Sequence, residues 1–202
     1  MFDALIIGGG ASGLSCALIL GSAKDKPFAL NKKIGIVTHQ KSSHLQTALF
    51  NNVLGLEPGT KGASILKNGV TQLEDLYPHI VQIHKEKVKE IISLDTTFRI
   101  ITNKNIYDSK IVVVAAGYTN LLRIKGLEPY IKPHPRAKSD KNRIWLENKD
   151  HLVTNGLYVC GTLAGWRSQF AMACGSGAHV GTDILTLWNE GEHVKVHDKI
   201  SD

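Results

Sequence analysis

Six consecutive residues near the start of the chain have the types and spacing to hold a diphosphate. Residues 8–13 read Gly-Gly-Gly-Ala-Ser-Gly, a G-x-G-x-x-G turn formed by Gly8, Gly10 and Gly13. Gly8 permits a tight turn, Gly10 lets backbone approach the phosphates, and Gly13 lets the following helix pack on the preceding strand. The flanking elements are legible too. Residues 3–7 (Asp-Ala-Leu-Ile-Ile) read as a short buried strand, and residues 14–20 as a helix of small and aliphatic side chains. Ala11 and Ser12 open that helix, so their amides and the positive end of its dipole face the ligand.

Two later stretches place small residues at the end of an apolar run. Residues 110–115 (Lys-Ile-Val-Val-Val-Ala) are β-branched enough to be a central strand, and Ala116-Gly117 follow. Residues 156–162 (Gly-Leu-Tyr-Val-Cys-Gly-Thr) read as another buried strand ending in glycine. Ligands of open α/β sheets sit at such strand ends. A strand over residues 33–38 has Thr38 and His39 at its tip, where a nicotinamide dinucleotide site usually offers an acid to the ribose. Its absence counts against an ordinary NAD site.

The positioning elements follow from periodicity. Residues 40–60 read as a long polar loop, and residues 62–77 as a helix ending before Pro78. Residues 80–84, 87–94, 98–102 and 105–107 alternate apolar and polar side chains, as in a small antiparallel sheet laid over the parallel core. Residues 122–151, with three prolines, form an irregular surface connection holding one short strand near 143–146. A long helix over 169–188 carries Gly175, Gly177 and Gly181, which implies close packing on a ligand or on the first strand. Residues 191–202 are a polar, loose tail, whose His193 and His197 read as solvated rather than metal-ligating.

Composition bounds the function. At 202 residues with 43% hydrophobic side chains, the chain is globular, and a single domain over 1–190 is expected. A net charge of +6 favours anionic ligands. The basic residues are dispersed without aromatic interleaving, which disfavours nucleic acid as a partner. Cys16, Cys160 and Cys174 contain no C-x-x-C and read as buried thiols in a reducing cytosol rather than a redox pair. No run is long enough to span a membrane, so a soluble, cytoplasmic protein without membrane partners is expected.

Taken in order, residues 8–13, 114–117 and 156–162, followed by Ser168-Gln169-Phe170-Ala171 and Gly175-Ser176-Gly177, resemble the FAD domain of the low-molecular-weight thioredoxin reductases. The resemblance implies an α/β fold: a Rossmann-like FAD/NAD(P)-binding three-layer domain with a central parallel sheet and a small antiparallel β-meander. It implies FAD, with Gly8, Gly10, Ala11, Ser12 and Gly13 at the pyrophosphate and Thr38 and His39 at the adenosine ribose. Ser43, Leu45 and Gln46 would approach the flavin and ribityl chain, and the backbone of Val88 would pair with adenine. Ala116 and Gly117 would close over the nucleotide. Gly161 and Thr162 would meet the ribityl and phosphate, and Gln169 and Phe170 the pyrimidine edge of the isoalloxazine.

The departures are as informative. In those reductases an NADPH-binding domain, with its own glycine fingerprint and a C-x-x-C, separates the second and third motifs; here about thirty irregular residues stand in its place. The usual Gly-Asp of the third motif is Gly161-Thr162. No residue stands out as a catalytic acid, base or nucleophile, which suits a protein whose cofactor carries the chemistry. Trp166 would cover the flavin or wedge an exposed loop, and Arg167 would bind an anionic substrate or stay solvated. Cys174 would face the flavin or fill a small buried space, and His44 is a proton donor or a solvated loop residue. The expected activity is FAD-dependent electron transfer, from NAD(P)H or a separate reductase to an unknown acceptor, in a monomer or homodimer. A flavin partner in tRNA modification and a non-catalytic flavin sensor are the alternatives.

Overall fold

Apart from Asp3, Phe2–Ile7 is apolar, and as β1 it lies inside an eight-stranded sheet with Ala4, Leu5 and Ile6 fully buried. The computed structural model describes residues 1–41, 43–119 and 124–197. After β1 come α1 (Ala11–Ser22), β2 (Ile34–Val37), β3 (Leu49–Phe50), β4 (Thr60–Lys61) and α2 (Gly62–Leu76). Then follow β5 (Val81–Ile83), β6 (Val88–Ser93), β7 (Phe98–Thr102) and β8 (Ile106–Val114). β9 (Ile131–Pro133), β10 (Ile144–Leu146), β11 (Leu152–Thr154), β12 (Leu157–Val159) and α3 (Phe170–Trp188) complete the chain.

The sheet runs β11-β12-β8-β1-β2-β5, with β12, β8, β1, β2 and β5 parallel and β11 an antiparallel edge. Alternate side chains of each strand serve opposite faces. Ile111 and Val113 of β8 face a core built with all three helices, through Leu20, Leu66, Leu73 and Ile184. Val112 and Val114 face the opposite side, where Ile91 and Ile100 of the meander and Leu146 of β10 cover the sheet. The fold is therefore the expected three-layer α/β arrangement. No helix among the described residues is long and apolar enough to cross a membrane.

Four local expectations are corrected. Residues 80–84 do not belong to the meander: β5 pairs in parallel with β2 and forms the sheet's edge. An edge strand with Val81 at the surface and Ile83 inside has the same alternation as a meander strand, so periodicity cannot separate them. Residues 105–107 and 110–115 form one strand, because the polar residues between them are paired. Ser109 lies opposite both Phe98 of β7 and Phe2 of β1, while Asp108 meets Arg99 at 2.9 Å and Lys110 meets Asp3 at 2.9 Å. The 40–60 loop contains a short 3-10 turn, His44–Thr47, and the β3–β4 ladder. Finally, Val194 is buried and Val196 packs beside it on the helical side, so the tail is docked as far as it is described. Residues 198–202 of the tail, and Leu122 and Arg123 of the connection, lie outside the described residues.

Two of the three glycines of α3, Gly177 and Gly181, pack on α1 rather than on β1. A Cβ at Gly177 would collide with the carbonyl oxygen of Ser12, and one at Gly181 would press 2.9 Å from the Ile19 side chain. Gly175 has open space around it. Gly177→Ala should therefore destabilise the protein by about 1–3 kcal/mol through forced separation of the helices. Gly175→Ala should stabilise the ligand-free protein by about 0.5–1 kcal/mol through helix propensity. Urea denaturation of both variants checks the pair of signs.

The meander has a buried carboxylate at its open end. Glu86 accepts hydrogen bonds from Thr102 Oγ1 (2.6 Å), Asn105 Nδ2 (2.7 Å) and the Tyr107 hydroxyl (2.9 Å). Burial alone would push its pKa up; the three donors, with Lys104 nearby, more than offset this and hold it below the usual 4.5. A depressed carboxylate stabilises the fold above its unfolded pKa and loses that contribution as the pH falls through its folded value. Glu86→Gln should cost about 1–3 kcal/mol at pH 7, with the deficit shrinking below pH 4.5 when denaturation midpoints are compared across pH.

Candidate functional site

The carboxyl ends of the parallel strands are stitched together by the residues that follow them. Thr38 N donates to Ile83 O (3.0 Å), Gly8 N to Val37 O (3.0 Å), Ala115 N to Ile7 O (2.9 Å) and Cys160 N to Val114 O (3.1 Å). The turns at Thr38, Gly8–Gly13, Ala116-Gly117 and Gly161-Thr162 consequently stand side by side along one edge. That edge is where open α/β sheets hold ligands. Three of the four come from segments far apart in sequence, so the structure brings together what the motifs suggested.

Packing divides the fingerprint glycines into two kinds. Gly8, at φ +120°, would drive a Cβ into Ala115 O, and a Cβ on Gly13 would collide with Gly8 O. These two are required by the protein itself, as is Gly161 at φ +77°, whose Cβ would meet Ser12 Oγ at 2.6 Å. Gly10 is different: its backbone is extended (φ −82°, ψ −171°), and the nearest atom to a Cβ there is Ser43 Oγ at 3.9 Å. Gly117 has nothing within 4 Å. Neither needs to be glycine for the fold, and both border the groove.

Two helices open on the same groove without side-chain caps. Gly10 is the N-cap of α1 and Gln169 that of α3; neither has a side-chain cap bond, and neither first turn contains an acid. The first amides of a helix lack intrahelical partners and carry the positive end of its dipole. Ala11, Ser12 and Gly13 supply those amides in α1. Ser12 is buried between α1 and the Gly161 turn, and Ala11 is half-buried at the groove.

A cavity of about 360 Å³ lies beyond the tip of β2, lined by Thr38, Gln40, Gln46, Leu66, Lys67 and His84. Thr38 is buried, and its hydroxyl sits 2.7 Å from His84 Nδ1, so a partner the sequence did not suggest orients it. His39 is half-buried beside Lys87 and Lys41; burial and both ammonium groups push its pKa below 6.5, which leaves it neutral at pH 7. Gln40 donates to Gly9 O (2.7 Å) and holds the loop against the fingerprint. Ser43 accepts from Leu45 N (3.3 Å) and faces Gly10, while Leu45 O lies against Gly62. Val88 opens β6 opposite Thr102, with its side chain in the meander core.

The other end of the groove is basic. A cavity of about 290 Å³ is lined by Tyr118, Arg136, Lys138, Arg143, Arg167 and Gln169, among others. Phe170 packs at a tilt against Phe50, centroids 5.0 Å apart, so α3 meets the β3–β4 ladder at its first turn. Arg136, Lys138 and Arg143 belong to the 122–151 connection, which holds more structure than the one short strand expected of it. β9 and β10 form an antiparallel pair. His134 Nε2 donates to Thr162 O (3.1 Å) and its Nδ1 accepts from Arg136 N (3.2 Å), which fixes a neutral tautomer. Arg136 reaches Gly165 O, and Asn148 donates to Ala164 O (3.3 Å). The connection thus braces the turn that carries Gly161 and Thr162. Irregular loop sequence gives no periodic signal, so His134, Arg136 and Arg143 were not legible beforehand.

No family model matches the chain, and no curated protein matches it in sequence. Its backbone, in contrast, superposes on solved oxidoreductases along its whole length. The thioredoxin reductase of Gloeobacter violaceus gives a TM-score of 0.73 at 11% identity, covering 100% of this chain and 99% of that one. An oxidoreductase from Agrobacterium tumefaciens gives 0.71 at 16% identity, covering 95% and 99%. A ferredoxin-flavin thioredoxin reductase from Clostridium acetobutylicum gives 0.68 at 16%, covering 94% and 98%. The fold is therefore the Rossmann-type α/β fold of the thioredoxin reductases.

The three cysteines contribute no ready thiolate. Burial pushes Cys160 up to about 12 and Cys16, its neighbour, well above 9.0. Cys174 is half-buried and also raised by burial, with Ser15 of α1 beside its thiol. The thiolate is the reactive form. A chromogenic disulfide reagent at pH 7.5 should therefore modify at most Cys174 in the folded protein and all three thiols after denaturation. A fast-reacting thiol in the native protein would contradict this.

Proposed function

We propose that the chain is an FAD-dependent oxidoreductase that receives electrons from NAD(P)H or from a partner reductase and delivers them to an acceptor other than a dithiol it carries itself. The observation that carries this reading is the pair Gly10 and Gly117. Both border the strand-end groove, both have free space where a side chain would stand, and Gly10 is the N-cap of α1, which has no side-chain cap bond. Backbone that is bare for no reason of packing, beside unpaired amides, suits a diphosphate in close contact.

Two features favour FAD over NAD. The tip of β2 offers Thr38 and His39 where an acid would be expected, and there are two cavities for an extended ligand to span, one at Thr38 and one at Gln169. A similar fold in a protein described as a ferredoxin-flavin thioredoxin reductase agrees with this choice. Gly8, Gly10, Ala11, Ser12 and Gly13 would hold the pyrophosphate. Thr38, Gln46 and His39 would meet the adenosine end, with Val88 beyond them. Ser43, Ala116, Gly117, Gly161 and Thr162 would line the middle, and Gln169 and Phe170 the ring end. The flavin, when bound, supplies hydride and electron transfer.

The chain's own groups then act on binding and charge. The dipole of α3 favours negative charge beside Gln169. Arg136, Lys138, Arg143 and Arg167 give the ring end a positive field, suited to the phosphates of NAD(P)H or to an acidic partner protein. With no C-x-x-C in the sequence and its thiols held protonated, the chain offers no dithiol relay.

Purified protein should be yellow and release FAD on heating, and anaerobic NADPH or a reductase should bleach the flavin. Gly10→Asp separates the cofactor reading from the fold. Aspartate is a better N-cap than glycine, so stability of the ligand-free protein should hold or rise by a few tenths of a kcal/mol. FAD affinity should fall by more than about tenfold, since a carboxylate would face the diphosphate. A colourless protein that takes up no FAD, or unchanged FAD binding in Gly10→Asp, would overturn the proposal.

A further inference from the structure

Behind the Gly161 turn, a tight hairpin points two side chains at α3. Lys149 and Leu152 exchange both backbone hydrogen bonds (2.9 and 3.0 Å). The residues between them, Asp150 (φ 48°) and His151 (φ 71°), are both left-handed although neither is glycine. Such a turn favours Asn-Gly or Asp-Gly, so His151 stands against the backbone preference. Its imidazole is 1% exposed, and Nδ1 is buried without a hydrogen-bond partner among the described residues. Nε2 lies 2.8 Å from Ser176 Oγ, which already accepts the Gly161 amide at 2.7 Å. Either tautomer leaves Nδ1 unpaired.

What faces Nδ1 is a set of donors. Asp150 Oδ1 is 3.6 Å from His151 Nδ1 and 3.5 Å from His179 Nε2. These three atoms all lie within 4.8 Å of one another. Asp183, one turn further along α3, places Oδ2 3.2 Å from the same His179 Nε2. The two imidazoles are stacked, with centroids 4.7 Å apart. Around a tetrahedral zinc bound at about 2.0–2.1 Å, neighbouring ligand atoms stand roughly 3.3–3.5 Å apart. The three carboxylate–imidazole separations, 3.2, 3.5 and 3.6 Å, bracket that value.

We propose that Asp150, His151 and His179 bind a divalent transition metal, Zn²⁺ by the chemistry of the set, with Asp183 or water in the fourth position. Two imidazoles and a carboxylate suit zinc; calcium and magnesium prefer oxygen donors alone. The ion occupies the space in front of Nδ1, and Nε2–H then donates to Ser176, the second hydrogen bond that ligating histidines usually make. The metal pins the hairpin to α3 and, through Ser176, steadies the Gly161 turn. Asp150 and Asp183 are open to solvent and provide the route of entry. None of this depends on the flavin reading.

The test uses the full chain without an affinity tag, stripped with EDTA and desalted. Zn²⁺ is titrated against a chromophoric chelator, Co²⁺ serves as a spectroscopic probe, and thermal unfolding is followed in parallel. One equivalent of Zn²⁺, visible bands of tetrahedral Co²⁺ and a raised Tm are expected. Ser176→Ala should weaken binding about 10–100-fold. His151 is buried, so the deciding variants are His179→Gln and Asp150→Asn at the surface, each of which should lose the Co²⁺ bands. No bound equivalent, full affinity in His179→Gln, or loss of binding on replacing His193 or His197 instead would overturn the assignment.

Discussion

Helix α1 touches its neighbours backbone to backbone, and the remaining architecture is arranged around that closeness. Gly13 allows α1 to sit against the Gly8 carbonyl, and Gly177 allows α3 to sit against the Ser12 carbonyl. The two helices and the end of β1 thereby converge at one point. A methyl group at either position would push the first turn of α1 away from the strand ends. The uncapped amides of that turn would then no longer stand beside Gly117 and Gly161. Local chain chemistry, not a large hydrophobic surface, fixes the geometry of the groove.

That dependence explains why so much was legible in the sequence. Glycine at a close approach has a steric cause that survives without any knowledge of tertiary structure, so the three strand-end turns were readable from residues 8–13, 116–117 and 161–162. The apolar runs of β1, β2 and β8 are buried on both faces and carry a signal of their own. The failures share a different cause. β5 and the meander strands alternate alike, and only pairing distinguishes them. The polar stretch Tyr107-Asp108-Ser109-Lys110 looked like a break because its partners, Arg99 and Asp3, lie in other strands. The brace formed by His134, Arg136 and Asn148 consists of side chains reaching carbonyl groups, for which no periodicity exists. The same holds for Asp150 and His151, which only the fold brings to His179.

Charge is distributed along the groove with some consistency. At one end, His39 is kept neutral between two lysines; at the other, five lysine and arginine side chains line the cavity that Gln169 borders. No acid occurs in the first turn of either helix that opens on the groove. The net positive charge of the chain is therefore not an even coat but is partly gathered where an extended anion would lie. Three acids stand elsewhere, Glu86 inside the meander and Asp150 and Asp183 beside His179.

The segment between β8 and β12 leaves and rejoins the sheet at adjacent strands. Val114 and Val159 are register partners, about 4.8 Å apart as neighbouring strands are. When the two ends of an excursion are already held together by the sheet, its length has little thermodynamic weight; doubling it costs only about 0.6 kcal/mol. The parallel core is thus indifferent to what is carried at this place, whether a small braced hairpin or a body of independent size. Chains sharing this sheet can exchange that cargo without redesigning the parallel strands, and what stands beside the Gly161-Thr162 turn changes with it.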